Sequence, residues 1–430
     1  MVTQEELINL CLNDYNLSLS KYQKMQDYYK GNTDAMMNYK MLTSRTNNKV
    51  NVNFIKKFVK EETSYILGNK LTYISRSGNE MIVNQIVTNL AHWSEKHDQN
   101  LCKNALKFGT AFELYYVDKD GMFSSRILDP LSGYALVSSD GNVELFLHIF
   151  TKKFDENKYL DVYFPDNRID HYSIDQGGQL TKNNESQHIF SEVPVSVCNI
   201  AEEMELDTLY SDIKGLQDAY ETNLSDISNE LSDFRTAYLK LIGCDINDED
   251  LPKMKELGIL KVPDKDADIN WIIKNINDDF IQNTLSTLED KIYQISAHIN
   301  SNEKMQSNTS SLALRTRLIS LENKCKLNQD AISDSVKNRL RMLFKFLNIK
   351  QGVTYDYRDI KAKFTPMIPS DDLITAQILA QAGDRLSTET GIAQFSFIDN
   401  PKEELKKIQS ERENSLINLD NISGTGDGTT

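Results

Sequence analysis

No window of this sequence approaches the eighteen or so consecutive apolar residues that span a bilayer, so no membrane partner is expected. The opening Met1-Val2-Thr3-Gln4-Glu5-Glu6 has neither the basic region nor the apolar region of a secretory signal. Paired cysteines are missing too. Cys11, Cys102, Cys198, Cys244 and Cys325 stand singly, with no C-x-x-C, and read as reduced thiols rather than a disulfide frame. These absences together predict a protein made and kept in a cytoplasm. Positive charge is also short, with 48 Lys and Arg against 63 Asp and Glu, a net charge of −15. A tight grip on nucleic acid comes from Lys and Arg displacing phosphate counterions, and this balance argues against one. It leaves room for a surface past which DNA slides without sticking.

The motifs of several chemistries are absent. No G-x-x-x-x-G-K-[ST] phosphate cradle occurs, and no G-x-G-x-x-G, G-x-S-x-G or H-E-x-x-H. His92, His97, His148, His171, His188 and His298 are dispersed. His92 and His97, five apart on one expected helix, fall off a common face and read as solvated histidines rather than metal ligands. Asp118-Lys119-Asp120-Gly121 starts like a calcium loop but lacks its later ligands, and a hairpin turn explains it. Glu61-Glu62 and Glu403-Glu404 are helix neighbours that do not face each other. No cofactor, metal or catalytic residue is expected, and an enzyme is the weaker class.

What is present reads as an α+β chain, mainly helical. Residues 1–202 begin with helices over Glu5 to Tyr29, Val52 to Leu67 and Met81 to Phe108. The period then changes toward two. Phe112 to Val117 and Met122 to Leu128 flank the Asp-Gly turn as a hairpin, with further strands at 134–138, 143–151, 159–164, 169–174 and 187–191. From Glu203 the pattern changes abruptly. Leu206, Leu209, Ile213, Leu216, Tyr220, Leu224, Ile227, Leu231, Phe234, Tyr238 and Leu241 recur at intervals of three or four, with no proline among them. One helix of that length would run about 55 Å, against a radius of gyration near 22 Å for a compact chain of this size. Either it bundles within the chain or it reaches partners.

A short insert follows, with a strand expected at Ile259-Leu260-Lys261-Val262-Pro263. The stripe then resumes at Ile281, Leu285, Leu288, Ile292, Ile295 and Ile299. The polar segment 300–311, containing Asn302, Glu303, Lys304, Gln306 and Asn308, competes with helical hydrogen bonding and reads as a loop. Another long helix starts near Leu312. Tyr355, Tyr357 and Phe364 suggest a strand, Asp371 an N-cap, and Leu373 to Leu386 a helix. Ser387-Thr388-Glu389-Thr390 and Asp399-Asn400-Pro401 open two more, the last running to about Leu419, and residues 420–430 are too polar and Gly-rich to order themselves.

Charge separates along the chain. Residues 200–240 hold ten Asp/Glu against three Lys/Arg, and residues 300–350 hold ten Lys/Arg against four Asp/Glu. Solvated amphipathic faces account for this. So would segments that meet across subunit boundaries or face a polyanion.

Taken in order, these elements resemble the portal, or head–tail connector, proteins of long-tailed bacteriophages of Gram-positive hosts. The likeness rests on Tyr28-Tyr29-Lys30-Gly31-Asn32, Asn47-Asn48-Lys49-Val50, Tyr65 to Tyr73, Lys107 to Glu113 and Leu128-Asp129-Pro130. It continues through Asp218-Ala219-Tyr220, Leu224 to Asn229, Phe234 to Leu239, Leu386 to Thr390 and Asp399 to Leu405. The resemblance implies a homo-oligomeric ring, usually of twelve subunits, at one capsid vertex, through which double-stranded DNA is packaged and ejected. It implies a wing at 1–202, stem helices at 203–242 and 276–299, a clip at 243–275 and a tunnel loop at 300–311. A channel-side helix with its return to the wing would occupy 312–370, and crown helices 371–419.

Expected site residues follow from that assignment. Asn302, Glu303, Lys304, Gln306 and Asn308 would contact DNA transiently. Leu209, Ile213, Leu216, Tyr220, Leu224, Ile227, Leu231, Phe234, Leu285, Leu288, Ile292 and Ile295 would form the stem interface, and Ile259, Leu260, Lys261 and Val262 the clip. Partners would be the terminase large subunit, a head–tail adaptor, and the major capsid and scaffolding proteins. The protein would assemble in host cytoplasm and end in the virion. The alternative reading is a coiled-coil scaffold or adaptor with no channel.

Overall fold

The computed structural model describes residues 3–40, 47–201, 207–234, 238–242, 268–272, 278–300, 311–365, 372–395, 398, 401 and 404–412. The chain divides into two compact units, one of residues 1–306 with 316–366, the other of 307–315 with 367–430.

The first unit opens with α1 (Gln4–Lys30), started by a reciprocal capping box between Thr3 and Glu6. It ends on Gly31, in left-handed backbone at φ 93, where an added Cβ would stand 2.9 Å from Asn51 Oδ1. Helices α2 (Asp34–Asn38) and α3 (Phe54–Leu67) follow. The single helix expected over Met81 to Phe108 is two, α4 (Glu80–Leu90) and α5 (His97–Phe108). Tertiary bonds break it. The Trp93 indole N–H donates to Phe123 O at 3.0 Å, and His92 Nε2 meets Ser124 Oγ at 3.0 Å.

Strands β1 (Thr72–Ser75), β2 (Thr110–Val117), β3 (Phe123–Leu128), β4 (Gly133–Val137), β5 (Val143–Thr151), β6 (Lys158–Tyr163), β7 (Arg168–Ile174), β8 (Leu180–Gln187) and β9 (Val195–Asn199) come next in the chain or between these helices. They give an antiparallel five-stranded meander, β4-β5-β6-β7-β8, and a three-stranded sheet, β3-β2-β9. The strand expected at 187–191 is replaced by its two neighbours. β8 carries Lys, Asn, Glu and Gln, with no apolar alternation to reveal it, and is held by its ladder to β7. β9 is a short run that pairs with β2, Ala111 opposite Cys198.

Ile8, Cys11, Leu12 and Tyr15 of α1 pack with Leu145, Leu147, Leu160 and Val162 of the meander. The larger core gathers α3, α5 and β2 around α8 (Ser311–Gln351), whose residues from 316 belong to this unit. Phe58, Leu101, Tyr115, Ile332, Val336, Leu343 and Leu347 are among its buried members.

Helices α6 (Leu209–Phe234) and α7 (Asp278–Ile295) pack side by side, and between them β10 (Tyr238–Ile242) pairs antiparallel with β11 (Asp268–Ile272). The helix expected to continue to Leu241 therefore stops at Phe234. Tyr-Leu-Lys-Leu-Ile satisfies helical spacing in sequence, but it is also aromatic and apolar enough to pair as a strand. The strand expected at 259–263 lies outside the described residues. Near the end of the unit, Tyr357–Asp359 is a 3₁₀ turn, and β12 (Ile360–Lys363) pairs with β1.

The second unit holds α9 (Asp372–Ala382), a 3₁₀ turn at Gly383–Arg385, α10 (Thr388–Ile392) and α11 (404–412). Ser387 caps α10, its hydroxyl accepting the Thr390 N–H at 3.2 Å. The Asp371 cap and the tail 420–430 lie outside the described residues.

Candidate functional site

Two polar arrangements fix the long helices on the helix-and-sheet part of the first unit, residues 3–201, the mixed domain. The first runs along α6, where Gln217, Glu221, Ser225 and Asn229 are spaced four apart and all fully buried. The last three face residues 48–52, which run the opposite way, and Gln217 accepts the Ile55 N–H at 3.4 Å. Asn229 Oδ1 accepts the Asn48 N–H at 2.7 Å, Ser225 Oγ the Val50 N–H at 2.9 Å, and Glu221 Oε1 the Val52 N–H at 3.0 Å. The geometry follows from two rises. Four helical residues advance about 6 Å, and two extended residues advance about 6.6 Å, so every second amide meets every fourth side chain. Flanking this ladder, the Tyr28 hydroxyl donates to both oxygens of Asp218 at 2.8 and 2.7 Å, and the Tyr39 hydroxyl to Asp226 at 2.7 Å. Burial pushes the Glu221 carboxyl up from its ordinary value, against the bonds from Thr33 and Val52.

The second arrangement lies where the end of α7 meets α8, several turns into that helix. Glu62 of α3 is completely buried. Lys324 Nζ of α8 approaches its Oε1 at 2.9 Å, and Asn328 Nδ2 donates to Oε2 at 2.9 Å. His298, just past α7, stacks on Phe58 with centroids 4.0 Å apart, and its Nε2 lies 3.5 Å from Glu62 Oε1. Lys324 also donates to Ser296 O at 3.1 Å. One carboxylate thus ties α3, the end of α7 and α8 together. Burial raises the Glu62 carboxyl and, with Lys324 nearby, lowers His298 to about 3, so the imidazole is neutral.

Residues 8–416 match the phage portal protein family described as SPP1 Gp6-like. The chain belongs to that portal family. The portal protein of Bacillus phage SPP1 is 24% identical over 434 residues, covering 94% of this chain and 82% of its own length. Two solved structures also align. They are the neck of an empty gene transfer agent particle computed with C6 symmetry, at TM-score 0.48, and the virion of the native particle, at 0.46. Each is 10% identical and covers 81% of this chain and 88% of its own. The portal family is structural rather than enzymatic. Among the described residues, no helix of this portal chain is long and apolar enough to cross a membrane.

Much of the charge that looked available for partners is engaged within the portal chain. Arg339, on α8, is buried. Its Nε and Nη2 donate to the two oxygens of Glu113 at 2.8 and 3.1 Å, and its Nη1 meets Asp98 at 2.8 Å. His97 Nε2 is 2.9 Å from the same Glu113, which corrects the reading of His97 as a solvated histidine. Burial pushes the Glu113 carboxyl up, but the guanidinium and His97 outweigh it and hold it at about 2. Arg341 and Lys345 pair with Glu192 at 3.2 and 2.7 Å. His171, also read as dispersed, bridges Asp161 at 2.6 Å and Ser186 at 2.7 Å across β6, β7 and β8. Directly opposed strand positions bring Asp161 and His171 together, a proximity invisible in linear spacing.

The apolar stripe residues divide in two. Leu209, Ile213 and Ile292 are buried in the chain's own core. Leu216 and Tyr220 are partly buried against the same core. Leu224, Ile227, Leu285 and Leu288 are half-buried, while Leu231 and Ile295 are 59% and 50% exposed. The Phe234 side chain lies outside the described residues. So do Asn302, Glu303, Lys304, Gln306 and Asn308, and Ile259, Leu260, Lys261 and Val262.

Proposed function

We propose that this portal chain assembles into a ring, of twelve subunits, at one capsid vertex, and that double-stranded DNA passes through it during packaging and ejection. In this reading residues 1–202 are the wing, 203–242 and 276–299 the stem and 243–275 the clip. Residues 312–370 supply the channel-side helix and return, and 371–419 the crown. One observation carries the reading. A pair of packed helices, α6 and α7, leads into a two-stranded ribbon, and both bury residues in the core of the first unit, Leu209 and Ile213 from α6 and Ile292 from α7. That arrangement would make a braced lever suited to docking other proteins. The docking partners would be the terminase large subunit, then a head–tail adaptor, with the major capsid and scaffolding proteins around the wing. Assembly would take place in host cytoplasm and leave the protein in the virion.

Residues 300–311 would form the tunnel loop. Asn302, Gln306 and Asn308 would exchange hydrogen bonds with phosphates, while the adjacent Glu303 and Lys304 cancel in charge. Native mass spectrometry with negative-stain imaging of the purified chain tests the assembly. Rings with a central hole are expected, and a stable dimer, as a coiled-coil adaptor would give, sinks the proposal. For the loop, Glu303→Ala with Lys304→Ala should alter DNA packaging or retention. Unchanged behaviour would remove any special role for the two.

A further inference from the structure

Phe154 is at the turn joining β5 to β6 and is 95% exposed. Its backbone is left-handed, at φ 68, a region that bulky residues avoid and that Gly, Asn or Asp would occupy at lower cost. The turn around it is braced. The Asp155 N–H donates to Lys152 O at 3.1 Å, the Asn157 N–H to Asp155 Oδ1 at 3.0 Å, and the Tyr159 hydroxyl to Asp155 Oδ2 at 2.5 Å. Lys152 Nζ rests 3.8 Å from the centre of the Tyr159 ring, and Lys153 Nζ is 4.9 Å from that of Phe154. A braced hairpin tip therefore holds an aromatic ring in solvent beside exposed lysines, with Asp155 engaged by Tyr159 and Glu156 exposed in the same turn. Backbone strain retained at an exposed aromatic calls for a contact that uses it.

We propose that Phe154, with Lys152 and Lys153, is a knob that docks on an acidic, apolar-bearing surface of the next copy of this chain. The inference rests on the ring reading above. Cyclic rings join two different patches of each subunit, so a projecting knob needs its socket on a neighbour. Lysines on the knob call for carboxylates around the socket, and the chain carries 63 Asp and Glu against 48 Lys and Arg. A lone aromatic with two lysines is a small anchor for a lipid surface, where stable attachment takes more than one signal.

A photoreactive benzophenone side chain at position 154 of the full-length chain tests this. Illumination of purified rings should give covalent multimers on a denaturing gel, mapping to an Asp- or Glu-bearing peptide of another copy. Phe154→Ser and the pair Lys152→Glu, Lys153→Glu should each raise the concentration needed for assembly about tenfold or more, whereas Phe154→Leu should not. Rings that form while position 154 crosslinks only within its own subunit, to another protein, to lipid or to nothing overturn the knob alone. Absence of rings from the wild-type chain overturns the ring reading, and the knob with it.

Discussion

At the scale of single residues, the buried charges carry the sharpest consequences. Arg339 is enclosed with Glu113 and Asp98, and truncating one member of such a set leaves the other buried and unpaired, at a cost of about 3–5 kcal/mol. Glu113→Gln should therefore lower the urea midpoint strongly at neutral pH. Its pH dependence has a definite sign. Glu113 is held at about 2 in the fold, against an ordinary 4.5. Its stabilisation is present above pH 4.5 and is lost as pH falls toward 2, so wild type and Glu113→Gln should converge over that window. His298 titrates elsewhere. Its folded value near 3 lies below the ordinary 6.5, so the unfolded chain takes up the proton first as pH falls. Wild type should then lose stability between pH 6.5 and 3 more steeply than His298→Phe, which keeps a ring against Phe58 but cannot titrate. Glu62, raised by burial, acts with the opposite sign in both proteins, and comparing the two slopes isolates the histidine.

Elements differ in how far they can be read from the chain. Apolar periodicity exposes α1, α3 and α8, because each buries a stripe of large side chains. The Asp-Gly turn likewise exposes the β2–β3 hairpin. Gln217, Glu221, Ser225 and Asn229 leave no such trace. A polar run on a helix reads as solvated, and only the fold brings the amides of residues 48–52 against it. For the same reason Glu113 hides inside a strand of apolar neighbours, and its partner Arg339 lies more than two hundred positions away. The break at Phe234 is illegible because Tyr238 and Leu241 continue the helical spacing, while Leu239 and Leu241 in the same run also alternate as a strand does. The ladder makes its own prediction. Removing the Ser225 hydroxyl by Ser225→Ala takes the partner from the part-buried Val50 N–H, a loss of about 1 kcal/mol. Hydrogen exchange should show faster exchange of the Val50 amide than in wild type, with α3 amides little changed.

For the whole molecule, the division of the apolar stripe narrows what a neighbouring subunit can touch. Leu209, Ile213 and Ile292 are enclosed by their own chain, so substitutions there would report on folding rather than assembly. Leu231 on α6 and Ile295 on α7 are exposed, on the two packed helices that anchor to the mixed domain. A charge at either position would remain in water in the free subunit and cost little. Inside a ring boundary it would be buried without a partner, which is costly. The pair Leu231→Asp, Ile295→Asp should therefore leave thermal unfolding of the isolated subunit within about 1 kcal/mol of wild type, as surface changes usually do. Native mass spectrometry should show rings replaced by free subunits. Full rings from the doubly charged variant would place the subunit boundary on other residues, and unfolding of the isolated subunit would show that these positions serve its own core.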